Sequence, residues 1–527
     1  MNRRRILIVG GGTAGWITAN LLKAKGAALL GEPLEVTLVE SPDIPSVGVG
    51  EATTPSLGVT LAAMGVDEHT FMKACDATFK HGIRFEQWTQ SPIDAPGEHY
   101  FHPFEHPLRL GMEQLAHQWR RVVPEQRGPF ADIAGVQQAL ASSGLAPKRF
   151  EDAPYQGMLP YAYHLDAGKL ADFLSGVARE RGVRHILENV VDVSRGEDGN
   201  ITSVTVSKSG QLSADLYIDC TGFRALLLDA DGAASFISKT DELFCDRAVV
   251  TRQAVDRPES VQPFTRAIAK EAGWVWDINL TNRRGIGHVY SSSHQSDDEA
   301  LSVLADHVGG TPETLEARHL KLKVGYHEQQ WRGNTVAIGL SAGFVEPLES
   351  TGIYLIEMAG WMVTQLLPRY FSGADGREHF NAVMARHYEN IVDFIKAHYA
   401  FSKRRDTAFW RENTDPETWS PSLRTLAARW SEDTPNDYDF DHRVQCFSAA
   451  NYQFVLHGME ASADIAPDLL KDETLAPYAE IRRRRLAQAR QRLEPHHAYL
   501  ARLEQSDQLP NRLRMGVAQS TSSYQVY

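Results

Sequence analysis

A chain of 527 residues, 43% hydrophobic and 23% charged, has the composition of a globular protein large enough for two substructures around one core, so disorder is not the default. Its formal charge of −13 argues against a general nucleic-acid binder, which needs a basic surface to neutralise phosphate. Cys75, Cys220, Cys245 and Cys446 are far apart with no C-x-x-C pair, which argues against a zinc site or a disulfide framework, and no metal is expected. The start, Met1 to Arg5, resembles the basic end of a signal peptide, but the apolar run Ile6 to Val9 is too short to continue one. No stretch reaches the roughly 18 apolar residues of a membrane span, so the expectation is a cytoplasmic enzyme without membrane or nucleic-acid partners, free to form a homodimer.

Ile6 to Val9 reads as a buried parallel strand, Gly10 to Gly15 as a tight turn, and Ala19, Leu21 and Leu22 as the apolar side of the helix that follows. Leu34 to Val39 is a second strand ending at Glu40. Ile201 to Val206, Leu216 to Asp219 and Thr335 to Ile338 are further strands, expected to belong to the same sheet. Between them, residues 85–155 and 225–330 are insertions expected to build a substrate region, the second with strands around Ala248 to Thr251 and Trp274 to Leu280. From Tyr354 onward helical periodicity takes over, as in Ile391, Phe394, Ile395 and Tyr399. Arg482 to Arg485 sits beside Ile481, Leu486 and Ala489 at helical spacing and reads as a solvated helix face. The predicted architecture is α/β: an FAD-binding Rossmann-like domain of the aromatic hydroxylase type over 1–360, a helical part over 361–518, and a disordered tail over 519–527.

Gly10, Gly12 and Gly15 fit G-x-G-x-x-G between a strand and a helix. The first makes the turn, the second admits pyrophosphate, and the third lets helix and strand pack; Thr13 and Ala14 open the helix whose N-terminus faces the phosphates. Glu40, about 25 residues beyond Gly15, stands where a carboxylate accepts ribose hydroxyls. The later segments Asp219-Cys-Thr-Gly222 and Ala337-Ile-Gly339, leading to Gly343-Phe-Val-Glu-Pro347, resemble the FAD-containing aromatic hydroxylase superfamily and imply FAD rather than NAD. Leu340 stands where that superfamily has an aspartate.

Five further motifs narrow this. Gly11-Gly-Thr-Ala-Gly-Trp16, Val47-Gly-Val-Gly-Glu51-Ala-Thr-Thr54-Pro, Thr78-Phe-Lys80-His-Gly-Ile-Arg-Phe85, Trp274-Val-Trp276-Asp-Ile278 and Pro347-Leu-Glu349-Ser-Thr-Gly352 occur in the order found in flavin-dependent tryptophan halogenases. The sequence resembles that family over nearly its whole length. The resemblance implies that reduced FAD, oxygen and chloride or bromide yield hypohalous acid, with FADH2 supplied by a separate NAD(P)H-dependent flavin reductase. It places flavin contacts also at Val49, Glu51, Ala52, Val190, Leu340 and Ile353, and the halide at Ser350, Thr351 and Gly352, where successive amides can form an anion nest. Without the family, Ser350 or Thr351 reads as a helix N-cap.

By the same resemblance Lys80 receives the halogen, as a haloamine or by hydrogen-bonding the acid, and Glu349 polarises the donor or takes the proton lost from the ring. On residue type alone Lys80 is more often a snorkelling surface lysine, and Glu349 a first-turn helix acid. Trp274 and Trp276 match the pair that walls flavin from substrate, with Asn279 where the family signature has proline; as bare pattern they are core residues of one strand face. His102 and Phe104 resemble the pair that sandwiches the indole, and Phe447 one of the aromatics that cover it. Ser448 replaces the second aromatic, and Arg443 falls near an ammonium-binding glutamate, which favours an indole-type substrate other than free tryptophan. The alternatives are an FAD aromatic hydroxylase and a non-catalytic flavin redox sensor.

Overall fold

A computed structural model describes residues 3–44, 50–122, 128–255, 257–440, 445–459 and 474–506. The expected contact at Val49, the position of Arg443 and the 519–527 tail lie outside them. In chain order, the elements that build the site are β1 (Arg4–Val9), α1 (Thr13–Leu21), β2 (Leu34–Glu40), β3 (Gly50–Ala52), β4 (Thr78–Lys80), β5 (Gly82–Glu86), β6 (His99–Pro103), β7 (Gly273–Asn279), α2 (Thr351–Phe371), α3 (Arg377–Ala400), α4 (Ala449–Gly458) and α5 (His496–Gln505).

β1 is flanked in parallel by β2 and by Leu216–Asp219, and this sheet continues to Arg184–Leu187 on one side and Thr335–Ala337 and Trp331–Arg332 on the other. Both faces of β1 are covered, which is why Ile6 to Val9 is uninterruptedly apolar. Ile201–Val206 forms at its predicted place but not in this sheet: it joins Val190–Arg195 and Gly210–Leu212 in a separate antiparallel sheet. Ile201, Val204 and Val206 are buried while Thr202 is exposed, and the apolar side packs over Leu7, Val9 and Val39.

The insertions contribute a seven-stranded sheet in which β5, β6 and β7 lie with Thr265–Lys270, Arg283–Tyr290, Arg247–Ala254 and Arg318–Lys321. A three-stranded sheet places β3 and β4 on either side of Ala162–Asp166. Helix α2 runs without a break through residue 360, the expected end of the flavin-binding part. It packs on α1 and α3, and at Gly360 a Cβ would press Leu21 Cδ1 at 3.1 Å. A single apolar core runs from Ile6 through Phe79, Trp274 and Phe394 to Tyr499 in α5. In the Arg482 to Arg485 run, Arg483 and Arg484 are exposed and paired to Glu480, whereas Arg482 donates to the Gly135 carbonyl and Arg485 meets buried Glu105, so only half of the run is a solvated face. Among the described residues, no helix is long and apolar enough to cross a membrane.

Candidate active site

The dinucleotide cradle is assembled from separate segments. Gly10 has φ +117°, and a Cβ there would lie 2.1 Å from the Cys220 carbonyl oxygen, so the second glycine-containing segment, Asp219 to Gly222, is packed directly on the first. Space is open around Gly12, and α1 starts there without a capping side chain, leaving the first-turn N–H groups of Thr13, Ala14 and Gly15 without that partner. The Glu40 carboxylate lies over Gly11 and is 2.9 Å from His185 Nε2. Beside it, Ser41 donates to Asn189 Oδ1 at 2.6 Å, bringing the start of the Val190 strand to the end of β2. Leu340 is on a short turn whose Gly339 abuts Ala14, with its own side chain 39% exposed. Glu51 and Ala52 lie on β3 opposite Leu165 and His164, and burial pushes the Glu51 carboxyl up to about 7. Ile353 is buried in the first turn of α2. An open glycine, an uncapped helix start and a carboxylate at the end of the second strand fit FAD, with pyrophosphate at Gly12 to Gly15 and ribose at Glu40.

The two residues expected to react lie deeper. β4 pairs Lys80 with Ala162 and buries its side chain completely, the reverse of a snorkelling lysine. The Lys80 amine donates to the Thr53 carbonyl at 3.1 Å and Ser350 Oγ at 2.8 Å, and lies 5.3 Å from the centroid of the Phe104 ring. Desolvation pulls its pKa down to about 7, opposed only in part by the nearby Glu349. A substantial neutral fraction therefore exists at neutral pH.

Glu349 ends the short Pro347–Glu349 turn and is also buried. Its carboxylate lies 2.9 and 3.0 Å from His102 Nδ1 and 2.8 Å from His398 Nε2. Burial works to raise its pKa, but the two imidazoles outweigh it and hold the group at about 2. Ser350 follows at φ +61°, and this left-handed residue turns the chain from Glu349 into α2.

That geometry corrects the expectation for Ser350. Its N–H donates to the Pro347 carbonyl and its hydroxyl serves Lys80, so it contributes neither an amide to an anion nest nor a side-chain cap to the helix. Thr351 and Gly352 remain as first-turn amides, with open space around Gly352.

Trp274 and Trp276 share a face of β7 with ring centroids 6.2 Å apart but differ in surroundings. Trp274 is 1% exposed and belongs to the core. Trp276 lies over Gly287 and lines, with Gly50, Arg283 and Ile286, a cavity of about 520 Å³. Asn279 simply ends the strand, its carbonyl accepting from Thr78 Oγ1 at 2.6 Å.

His102 has aromatic neighbours, with the Phe394 centroid at 5.4 Å and Phe447 at 6.5 Å, but both its nitrogens are engaged: Nδ1 with Glu349, Nε2 with Asn451 Nδ2 at 3.0 Å. Phe447 stacks on Phe394 at 3.9 Å, and Ser448 serves as the N-cap of α4 in a capping box with Asn451. Sequence reasoning missed His398, Tyr100 and Asn451. The available signal was the spacing of Phe394 and His398 on the buried face of α3.

Against known proteins, the tryptophan halogenase family profile matches residues 5–472. The tryptophan 6-halogenase SttH of Streptomyces toxytricini is 36% identical, over 87% of this chain and 90% of its own. The crystal structure of a tryptophan halogenase from Shewanella frigidimarina superposes with a TM-score of 0.89 at 34% identity, covering 95% of this chain and 98% of that one. Xcc4156, a flavin-dependent halogenase from Xanthomonas campestris, superposes with a TM-score of 0.85 at 33% identity, over 95% and 98%. These relationships disfavour the hydroxylase alternative. They imply FAD, a halide and a separate flavin reductase. The chain belongs to the tryptophan halogenase family and is a flavin-dependent halogenase.

Proposed function

We propose that this protein halogenates an indole-type ring other than free tryptophan, with Lys80 delivering the halogen and Glu349 receiving the ring proton. Bound FAD, taken up as FADH2 from an NAD(P)H-dependent reductase in the cytoplasm, supplies hypohalous acid from oxygen and chloride or bromide. Gly10, Gly12, Thr13, Ala14, Gly15 and Glu40 hold its nucleotide end, with Glu51, Ala52, Val190, Leu340 and Ile353 along its length; Thr351 and Gly352 hold the halide. Trp276 stands between the flavin and the substrate region.

The observation that carries this reading is geometric: Lys80 and Glu349 are both buried, and the Lys80 amine is bonded at 2.8 Å to the hydroxyl of Ser350, the residue next to Glu349. By the haloamine route, one of the two open to Lys80, the neutral amine attacks hypohalous acid, forming an N–halogen bond and releasing water. The aromatic carbon then takes the halogen, and the electron pair of that bond stays on nitrogen, which regains a proton. The ring proton passes to Glu349, whose low pKa keeps it ionised until that moment. Phe104, beside the amine, and the His102, Phe394 and Phe447 cluster offer an indole aromatic contact. Ser448, used as a helix cap, leaves the ring without the second covering aromatic, and Arg443 near the place of an ammonium-binding glutamate supports a substrate without the tryptophan backbone.

The test is mass spectrometry of reactions containing flavin reductase, FAD, NAD(P)H, either halide, and indole or tryptophan. Monohalogenated indole is expected, with tryptophan converted more slowly. Lys80→Ala and Glu349→Gln are each expected to lose at least 100-fold in product while flavin oxidation continues. Undiminished halogenation by Lys80→Ala, or hydroxylated product without halogenated product, would sink the reading.

A further inference from the structure

Glu349 is gripped from two sides, and neither grip ends at the histidine. On β6, His102 Nε2 accepts from Asn451 Nδ2 at 3.0 Å, so its proton resides on Nδ1, facing Glu349. On α3, His398 Nδ1 lies 2.6 Å from the Tyr100 hydroxyl, while Nε2 lies 2.8 Å from Glu349 Oε1. The Nε2 contact is an ion-pair distance without hydrogen-bond geometry; because a carboxylate offers only lone pairs, the tautomer that avoids repulsion carries the proton on Nε2, with Nδ1 accepting from Tyr100.

The His398 ring is also held by packing. Phe85 stacks on it at 4.4 Å and on Tyr100 at 4.8 Å, and Phe394 meets it edge-on at 5.1 Å. His398 is fully buried, and Tyr100 is 4% exposed. A tyrosine hydroxyl in so apolar a position makes sense as a fixed donor.

We propose that Tyr100 and His398 are positioning residues for halogenation: the Tyr100 hydroxyl locks His398 as the Nε2–H tautomer, which holds Glu349 ionised and oriented toward the ring carbon that loses its proton. This extends the proposed function and rests on Glu349 being the proton acceptor. The step is proton transfer only, from the halogenated ring to Glu349. Without the Tyr100 hydroxyl, His398 is free to carry its proton on Nδ1, turning a lone pair toward Glu349 and replacing an attraction by a repulsion.

The test compares wild type with Tyr100→Phe, His398→Gln and His398→Leu. Two quantities are measured: halogenated indole formed, and hypohalous acid captured by a β-diketone trap when indole is absent. Tyr100→Phe preserves the ring and its stacking. It is expected to lower kcat for ring halogenation roughly tenfold, the scale of one hydrogen bond to a charged group, with KM for indole and trapped hypohalous acid unchanged. A glutamine amide reaches the place of Nε2, so His398→Gln is expected to retain several-fold more activity than His398→Leu. Wild-type kcat in Tyr100→Phe would overturn the proposal, as would a parallel fall in trapped hypohalous acid, or equal activity of His398→Gln and His398→Leu. Full halogenation by Glu349→Gln would instead remove the reading on which the proposal rests. With Glu349→Gln impaired and Tyr100→Phe normal, only the Tyr100–His398 proposal fails.

Discussion

Lys80 shows what burial does to a single side chain. An amine with only a carbonyl and a hydroxyl as direct partners inside the core is penalised as a cation, and its pKa falls to about 7 from the usual 10.5. The folded protein therefore binds fewer protons than the unfolded chain between about pH 7 and 10.5, and stability rises with pH across that window. Lys80→Met removes the penalty. At pH 7 it is expected to stabilise the fold by about 2 kcal/mol, after allowing for the partners left unpaired, while abolishing halogenation. Thermal unfolding at several pH values checks this, and the gain should shrink toward pH 10. The same shift separates the two ways Lys80 can hold the halogen. A haloamine needs the neutral amine, so turnover should rise with pH through about 7 and Lys80→Arg should be inactive. A hydrogen-bonded acid needs the cation, and Lys80→Arg should then retain activity.

At the scale of elements, the chemistry depends on turns that join a strand or short turn to a helix. The β1-to-α1 turn works because Gly10 takes a left-handed conformation against the Cys220 carbonyl, where no Cβ fits. Gly10→Ala is expected to cost on the order of 2–4 kcal/mol and to weaken FAD binding at least tenfold, as read by thermal unfolding and flavin fluorescence titration. Unchanged FAD affinity in that variant would remove the turn from the cofactor site. The Glu349-to-α2 turn uses Ser350 at φ +61°, which trades local strain for a hydroxyl that reaches Lys80. In the proposed reaction, two residues adjacent in sequence serve its two ends: Glu349 for the ring proton, and Ser350, bonded to Lys80, for the amine.

At the scale of the whole molecule, the strand carrying Lys80 is held by residues more than 400 positions away. The Phe79 N–H donates to His496 Nε2 at 3.2 Å, and Tyr499 packs edge-on against Phe79 at 4.9 Å and meets His69 at 3.0 Å. The C-terminal helix α5 therefore belongs structurally to the site despite touching none of its reacting atoms. Tyr499→Ala is expected to destabilise the fold by about 3–5 kcal/mol and to lower halogenation more than hypohalous acid production, because β4 loses its backing. Equal effects on both products would show that α5 supports the molecule without selectively supporting Lys80.

Much of the flavin half could be read from the chain, since its cues are local: an apolar run for a strand covered on both faces, glycines where backbone must bend or approach, and an acid at the end of the next strand. Gly10, Gly12, Gly15 and Glu40 lie where such cues put them. Lys80 and Glu349 were legible through the motifs around them, since composition alone would have left Lys80 on the surface. The sheet to which Ile201–Val206 belongs was not legible, because a strand with one apolar side declares one covered face but not its partner. Nor were His398, Tyr100 and Asn451, which come from α3, β6 and α4 and meet only after long-range packing. The sequence by itself determined the strand–glycine turn–helix and the family, and it singled out Lys80 and Glu349 as candidates. Only the tertiary structure decided the state of that pair, because burial and the direction of each hydrogen bond set its pKa values, and both depend on distant segments.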